Sequence, residues 1–128
     1  HSYGAWTLMN MAIAYGTEFN FRGLYSVDAI GPNDGGPMQV ATHDPGCFRA
    51  PTDLNMSLIA ERTHSWIHFY QRNDRWLQSS KIEFADINEL LVYENGSGHQ
   101  IIDSDSRVWD KVFESVTNVL GQDNVLLL

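Results

Sequence analysis

Ser2, His99 and either Asp28 or Asp74 are the residues of this chain whose types and order could do chemistry together. Ser2 stands in His1-Ser2-Tyr3-Gly4, directly before an apolar run, Ala5 to Tyr15, that reads as a buried helix. A serine at such a turn, with Gly two residues on, matches the trailing part of a nucleophile elbow, Gly-x-Ser-x-Gly, in which a strained turn presents the hydroxyl. The leading Gly of that motif would fall one position before His1. A serine hydroxyl attacks poorly until a base takes its proton and a third group orients the base. His99, in Glu94-Asn95-Gly96-Ser97-Gly98-His99, is the candidate base, because a Gly-rich loop between a strand and a helix packs no core and can reach a site. Asp28, after Gly23-Leu24-Tyr25-Ser26-Val27, and Asp74, in Arg72-Asn73-Asp74-Arg75, are the candidate acids. Each has an ordinary competing role: Ser2 as a helix cap, Asp28 as the start of an Asx-turn, Asp74 as a solvated turn residue, His99 as an exposed loop histidine.

These residues need elements to hold them. Gly16 ends the first helix. Phe21 to Val27 reads as a strand, and Asp28 precedes a Gly-Pro-Asn-Asp-Gly-Gly-Pro loop that stops it. Residues 31–53 hold all four prolines and read as a long irregular loop, a lid or acyl-pocket wall. Leu54 to Arg62 predicts a short helix, Ser65 to Tyr70 a second strand with a polar turn at Gln71 to Arg75, and Ile87 to Tyr93 a third strand. In the last helix, Trp109, Val112, Phe113, Val116, Val119 and Leu120 recur at three- and four-residue intervals as one apolar stripe. Asp103, Ser104 and Asp105 cap it and Gly121 closes it. Short apolar strands between helices predict an α/β class, a mainly parallel sheet with flanking helices.

Composition narrows the partners. The chain has 128 residues, 43% hydrophobic and 12% aromatic, enough to bury a core. Sixteen acidic residues against 8 basic ones leave a net charge of -8, which repels phosphates and argues against nucleic acid as partner. No apolar run approaches the roughly 20 residues needed to span a bilayer. Cys47 is the single cysteine, so no intrachain disulfide forms, and a small packed side chain is the expected role. His64 and His68 are four apart, but on a strand they would sit about 13 Å apart, so no metal site is expected there. Asp103 and Asp105 lack the Gly and the bidentate Glu of a calcium loop.

Taken together, His1-Ser2-Tyr3-Gly4-Ala5-Trp6, Gly23-Leu24-Tyr25-Ser26-Val27-Asp28 and Gly98-His99 resemble the carboxy-terminal half of an α/β-hydrolase fold serine esterase or lipase, beginning inside the elbow. The resemblance runs over the whole chain with short motifs in the family's order, Ser, Asp, His. It implies a partial α/β-hydrolase domain over 1–128 with an insertion at 31–53. It further implies attack by Ser2 on an ester or acyl substrate, His99 as base, oxyanion stabilisation by the Tyr3 backbone N–H, and no cofactor. In most members the acid follows the strand one later, which points to Asp74. In pancreatic-type lipases it follows the strand after the elbow helix, and that context favours Asp28. The fold's earlier strands would be missing, so the expectation for these residues alone is exposed sheet edges, oligomerisation and weak or no activity. A non-catalytic scaffold and a His-based metallohydrolase are the alternatives.

Overall fold

The computed structural model describes residues 1–15, 19–30 and 50–126. Most of the loop expected at 31–53, and Cys47, lie outside them. The apolar run after Ser2 forms α1 (Tyr3–Tyr15). Its Ala5, Trp6 and Met9 are buried, whereas Leu8 and Met11 are exposed, so among the described residues α1 is covered on one side only. Thr52 caps α2 (Asp53–Glu61) by accepting a hydrogen bond from the Asn55 N–H at 3.3 Å.

Strands β1 (Leu24–Val27), β2 (Trp66–Tyr70) and β3 (Ile87–Leu90) form one sheet in that order, and both pairings are parallel. The α/β class expected from the sequence is therefore present. Ser26 lies opposite His68 and Val27 opposite Phe69. The central strand, Trp66-Ile67-His68-Phe69-Tyr70, is buried along its first four residues, as a strand covered on both faces must be. Its alternation divides the core. Trp66 packs with Trp6, Met9, Met56 and Ile59 under α1 and α2. Ile67 and Phe69 pack with Tyr93, Ile102 and Val108 on the opposite face. Each fully buried side chain of this kind contributes roughly 1.5–3 kcal/mol.

The strands are shorter than expected. Phe21 joins only by an isolated bridge to Thr63, and β3 stops at Leu90. The segment holding His99 is not simply a loop: it begins a short helix, α3 (Gly98–Ile101), continued by a 3-10 turn (Ile102–Ser104). Helix α4 (Ser106–Leu126) starts where Asp105 accepts from the Arg107 N–H at 2.9 Å, so the cap holds. Gly121 does not end it, since the helix runs on to Leu126. The stripe also faces differently from expectation. Val108 and Val112 turn inward, and the Tyr25 hydroxyl ties Ser115 to β1 at 2.9 Å. Trp109, Phe113 and Leu120 stay exposed. The helix has more apolar positions than the sheet covers, and the residues beneath the sheet choose which go in.

Candidate active site

Parallel strands all point their carboxyl ends the same way, and that end of the sheet is where open α/β proteins gather their sites. Here the chain leaves β1 at Asp28, β2 at Gln71 and β3 toward the 91–99 segment, all at one edge of the sheet. Ser2 arrives there too, because its backbone N–H donates to the Val27 carbonyl at 3.1 Å. Asp28 is anchored by its own N–H, which donates to the Phe69 carbonyl at 2.7 Å.

At this edge the three distant residues meet. Ser2 Oγ lies 3.1 Å from His99 Nε2, and His99 Nδ1 lies 2.6 Å from Asp28 Oδ2. An ionised carboxylate can only accept, so the Nδ1 proton belongs toward Asp28 and Nε2 is left to accept from the Ser2 hydroxyl. Asp28 is wholly buried while the His99 side chain keeps 13% of its surface. Ser2 and Asp28 both have positive φ, 56° and 46°, the left-handed region that non-glycine residues avoid. Such a conformation costs on the order of 1 kcal/mol or more and persists only where surrounding bonds over-determine it. Both residues are so held. Ser2 thus stands in a strained backbone conformation directly before α1.

A buried carboxylate is costly unless its lone pairs are met. Two residues missed by sequence reasoning meet them: Gln71 Nε2 donates to Asp28 Oδ2 at 3.0 Å, and the Ser79 hydroxyl donates to Oδ1. Gln71, expected in a polar turn, is fully buried. Its place directly after the central strand was the available signal; Ser79, in an irregular segment, had none. Asp74 does not reach the imidazole. Its carboxylate accepts backbone N–H groups from Trp76 at 2.8 Å, Leu77 at 2.9 Å and His99 at 2.9 Å. Burial raises the Asp74 pKa, but the Leu77, Trp76 and His99 N–H bonds outweigh it and hold the carboxyl below its ordinary value. Asp28 is therefore the carboxylate on the imidazole, and Asp74 holds the backbone that carries it.

Tyr3 is the first residue of α1, so its N–H is among those with no intrahelical partner and sits at the positive end of the helix dipole. Gly4 departs from the elbow's usual logic: a Cβ there would meet nothing within 4 Å among the described residues. The His1 ring stacks on His99 with centroids 4.9 Å apart. A cavity of about 230 Å³ opens beside His99, walled by Arg75, Trp76, Leu77 and Ser97. A larger one of about 540 Å³, between His64, Ile67 and Lys111, includes none of Ser2, Asp28 or His99.

His64 and His68, four apart in the sequence, stand in different surroundings. His68 is fully buried, with Nδ1 2.8 Å from Ser26 Oγ and Nε2 3.0 Å from the Ser80 carbonyl, while His64 is exposed. Burial drives the His68 pKa down to about 4 against the hydrogen bonds to Ser80 and Ser26 and the charge of Asp28. His1, Asp28 and His99 do bring one ligand atom each within 4.8 Å of one another. The same Asp28 and His99 side chains are hydrogen-bonded to each other at 2.6 Å. No protein-family model, curated protein or solved structure matches this chain.

Proposed function

We propose that the chain carries the catalytic residues of a serine hydrolase, of carboxyl-ester or lipase type, on a partial α/β-hydrolase scaffold. The observation that carries this is the unbroken sequence of hydrogen-bond distances from Ser2 Oγ through His99 to the buried Asp28. In this reading Ser2 Oγ attacks an acyl carbonyl while His99 Nε2 takes its proton. Asp28 keeps the ring oriented and stabilises the imidazolium that forms. The carbonyl oxygen becomes an oxyanion facing the Tyr3 N–H, where a fixed dipole needs no reorganisation. His99 then returns the proton to the leaving alcohol as the C–O bond breaks, leaving an ester on Ser2. A water, deprotonated by the same His99, hydrolyses that ester and restores the hydroxyl. In this reading the cavity beside His99, walled in part by Trp76 and Leu77, receives part of an acyl or alcohol group.

A fluorophosphonate probe tests this directly. Covalent labelling of the chain at Ser2, abolished by Ser2→Ala, is the expected result. No labelling of folded protein would favour the non-catalytic scaffold. The His1, Asp28 and His99 cluster gives the metallohydrolase reading its one support. That reading instead requires hydrolysis that chelators abolish and the probe leaves untouched.

A further inference from the structure

Gln71 is buried completely at the carboxyl end of β2. A buried primary amide is costly unless both donors and the acceptor find partners. Its partners are the groups that hold His99. Nε2 donates to Asp28 Oδ2 at 3.0 Å and to the Leu77 carbonyl at 2.7 Å. Oε1 accepts from the Asp74 N–H at 2.8 Å. Asp28 in turn grips the His99 ring, and Asp74 grips the His99 backbone N–H at 2.9 Å. One amide thus joins the Asp28 carboxylate to the Asp74 main chain, and these two aspartates hold the same histidine, one by its ring and one by its backbone N–H.

Gly98 supplies an independent observation. A Cβ at Gly98 would come within 2.9 Å of Gln71 Oε1 and of Tyr93 Cδ2, closer than real Cβ atoms approach. The backbone immediately before His99 therefore rests on the Gln71 amide, and the glycine is what lets it do so.

We propose that Gln71 is the positioning residue of this site, fixing His99 Nε2 against Ser2 Oγ by holding Asp28 and the Asp74–His99 backbone in one register. This rests on the serine-hydrolase reading. Its chemistry is specific: the position needs a donor toward Asp28 and an acceptor toward the Asp74 N–H at once. Met fills the volume and offers neither. Ionised Glu offers the acceptor only and sets a second negative charge against Asp28. Protonated Glu offers both, because its hydroxyl donates.

The test compares fluorophosphonate labelling rates of the wild type, Gln71→Met and Gln71→Glu across pH, beside the proton NMR signal of the His99 Nδ1–H. Gln71→Met is expected to slow labelling by roughly 10²-fold, the scale of an ångström of misplacement, and to shift or broaden the ring-proton signal. Gln71→Glu is expected to approach the wild type as pH falls and to diverge from it as pH rises. Equal labelling rates and an unmoved ring proton in both variants overturn the proposal. Should Gln71→Met fail to fold, Gly98→Ala, which displaces the amide without removing it, is expected to slow labelling in the same way, and wild-type labelling by it overturns the proposal equally. Wild-type protein that never labels would defeat the hydrolase reading alone, since the ring-proton signal still reports whether Gln71 sets His99.

Discussion

Asp28→Asn is the substitution that most directly interrogates the relay. The side chain is buried and accepts from three donors: the His99 ring, the Gln71 amide and the Ser79 hydroxyl. Asparagine keeps the shape and removes the charge. If its oxygen faces His99, the ring keeps its tautomer but the imidazolium formed during attack loses its counter-charge. Two unit charges about 4 Å apart at an effective dielectric near 20 interact by about 4 kcal/mol, which is roughly three decades of rate. If its NH₂ faces His99 instead, the ring proton must move to Nε2, which then donates to Ser2 instead of accepting. A tautomer inverted in this way costs about 10⁴-fold in kcat. Either orientation therefore predicts a loss of about 10³- to 10⁴-fold. The second-order rate of fluorophosphonate labelling measures it, with circular dichroism melting to establish that the fold persists. Asp74→Asn, run in parallel, is expected to lose far less, since that carboxylate touches main-chain N–H groups and not the ring. A folded Asp28→Asn protein that labels within tenfold of the wild type, or an Asp74→Asn protein that loses more, would refute the assignment.

His68 predicts an acid limit to stability. The folded protein holds its pKa near 4, below the ordinary 6.5, so the unfolded chain binds a proton that the fold refuses. Stability is then full above about pH 6.5 and lost as pH falls toward 4, by up to about 3 kcal/mol; His68→Gln should flatten that slope in melts run between pH 7 and 4.5. Asp105→Ala removes the α4 cap together with its bonds to Tyr93 and Arg107, and should cost about 1–2 kcal/mol in chemical denaturation while leaving labelling of Ser2 unchanged. Tyr25→Phe removes the hydroxyl that ties β1 to Ser115; a loss of about 1 kcal/mol is expected, and a melting temperature equal to wild type would count against that tie.

Much of the scaffold is local information. The apolar run at 5–15, the short apolar segments at 24–27 and 66–70 and the cap at Asp105 all declare themselves within a few residues. Helix period, strand burial and turn chemistry act over that range. The elements therefore fall close to where their patterns lie, with ends displaced where pairing partners run out, as at Phe21 and beyond Leu90. The order Ser2, Asp28, His99 was legible too, as a short motif at each position. Which aspartate serves the ring was not. That depends on contacts between residues 71 apart: local context favours Asp28, yet Asp74 stays open as the alternative until its carboxylate is seen turned to three backbone N–H groups.

The chain by itself determined most element types, the α/β class and the order of a serine before the first helix, an acid after the first strand and an imidazole before the last long helix. Tertiary structure alone decided the burial of Gln71, the reach of Ser79 across 51 residues to Asp28, and the face of α4 that turns inward. The physical reason is one of range. Periodicity and capping are energies of neighbouring residues, whereas satisfying a buried carboxylate is an energy of whatever donors the packed sheet happens to bring beside it.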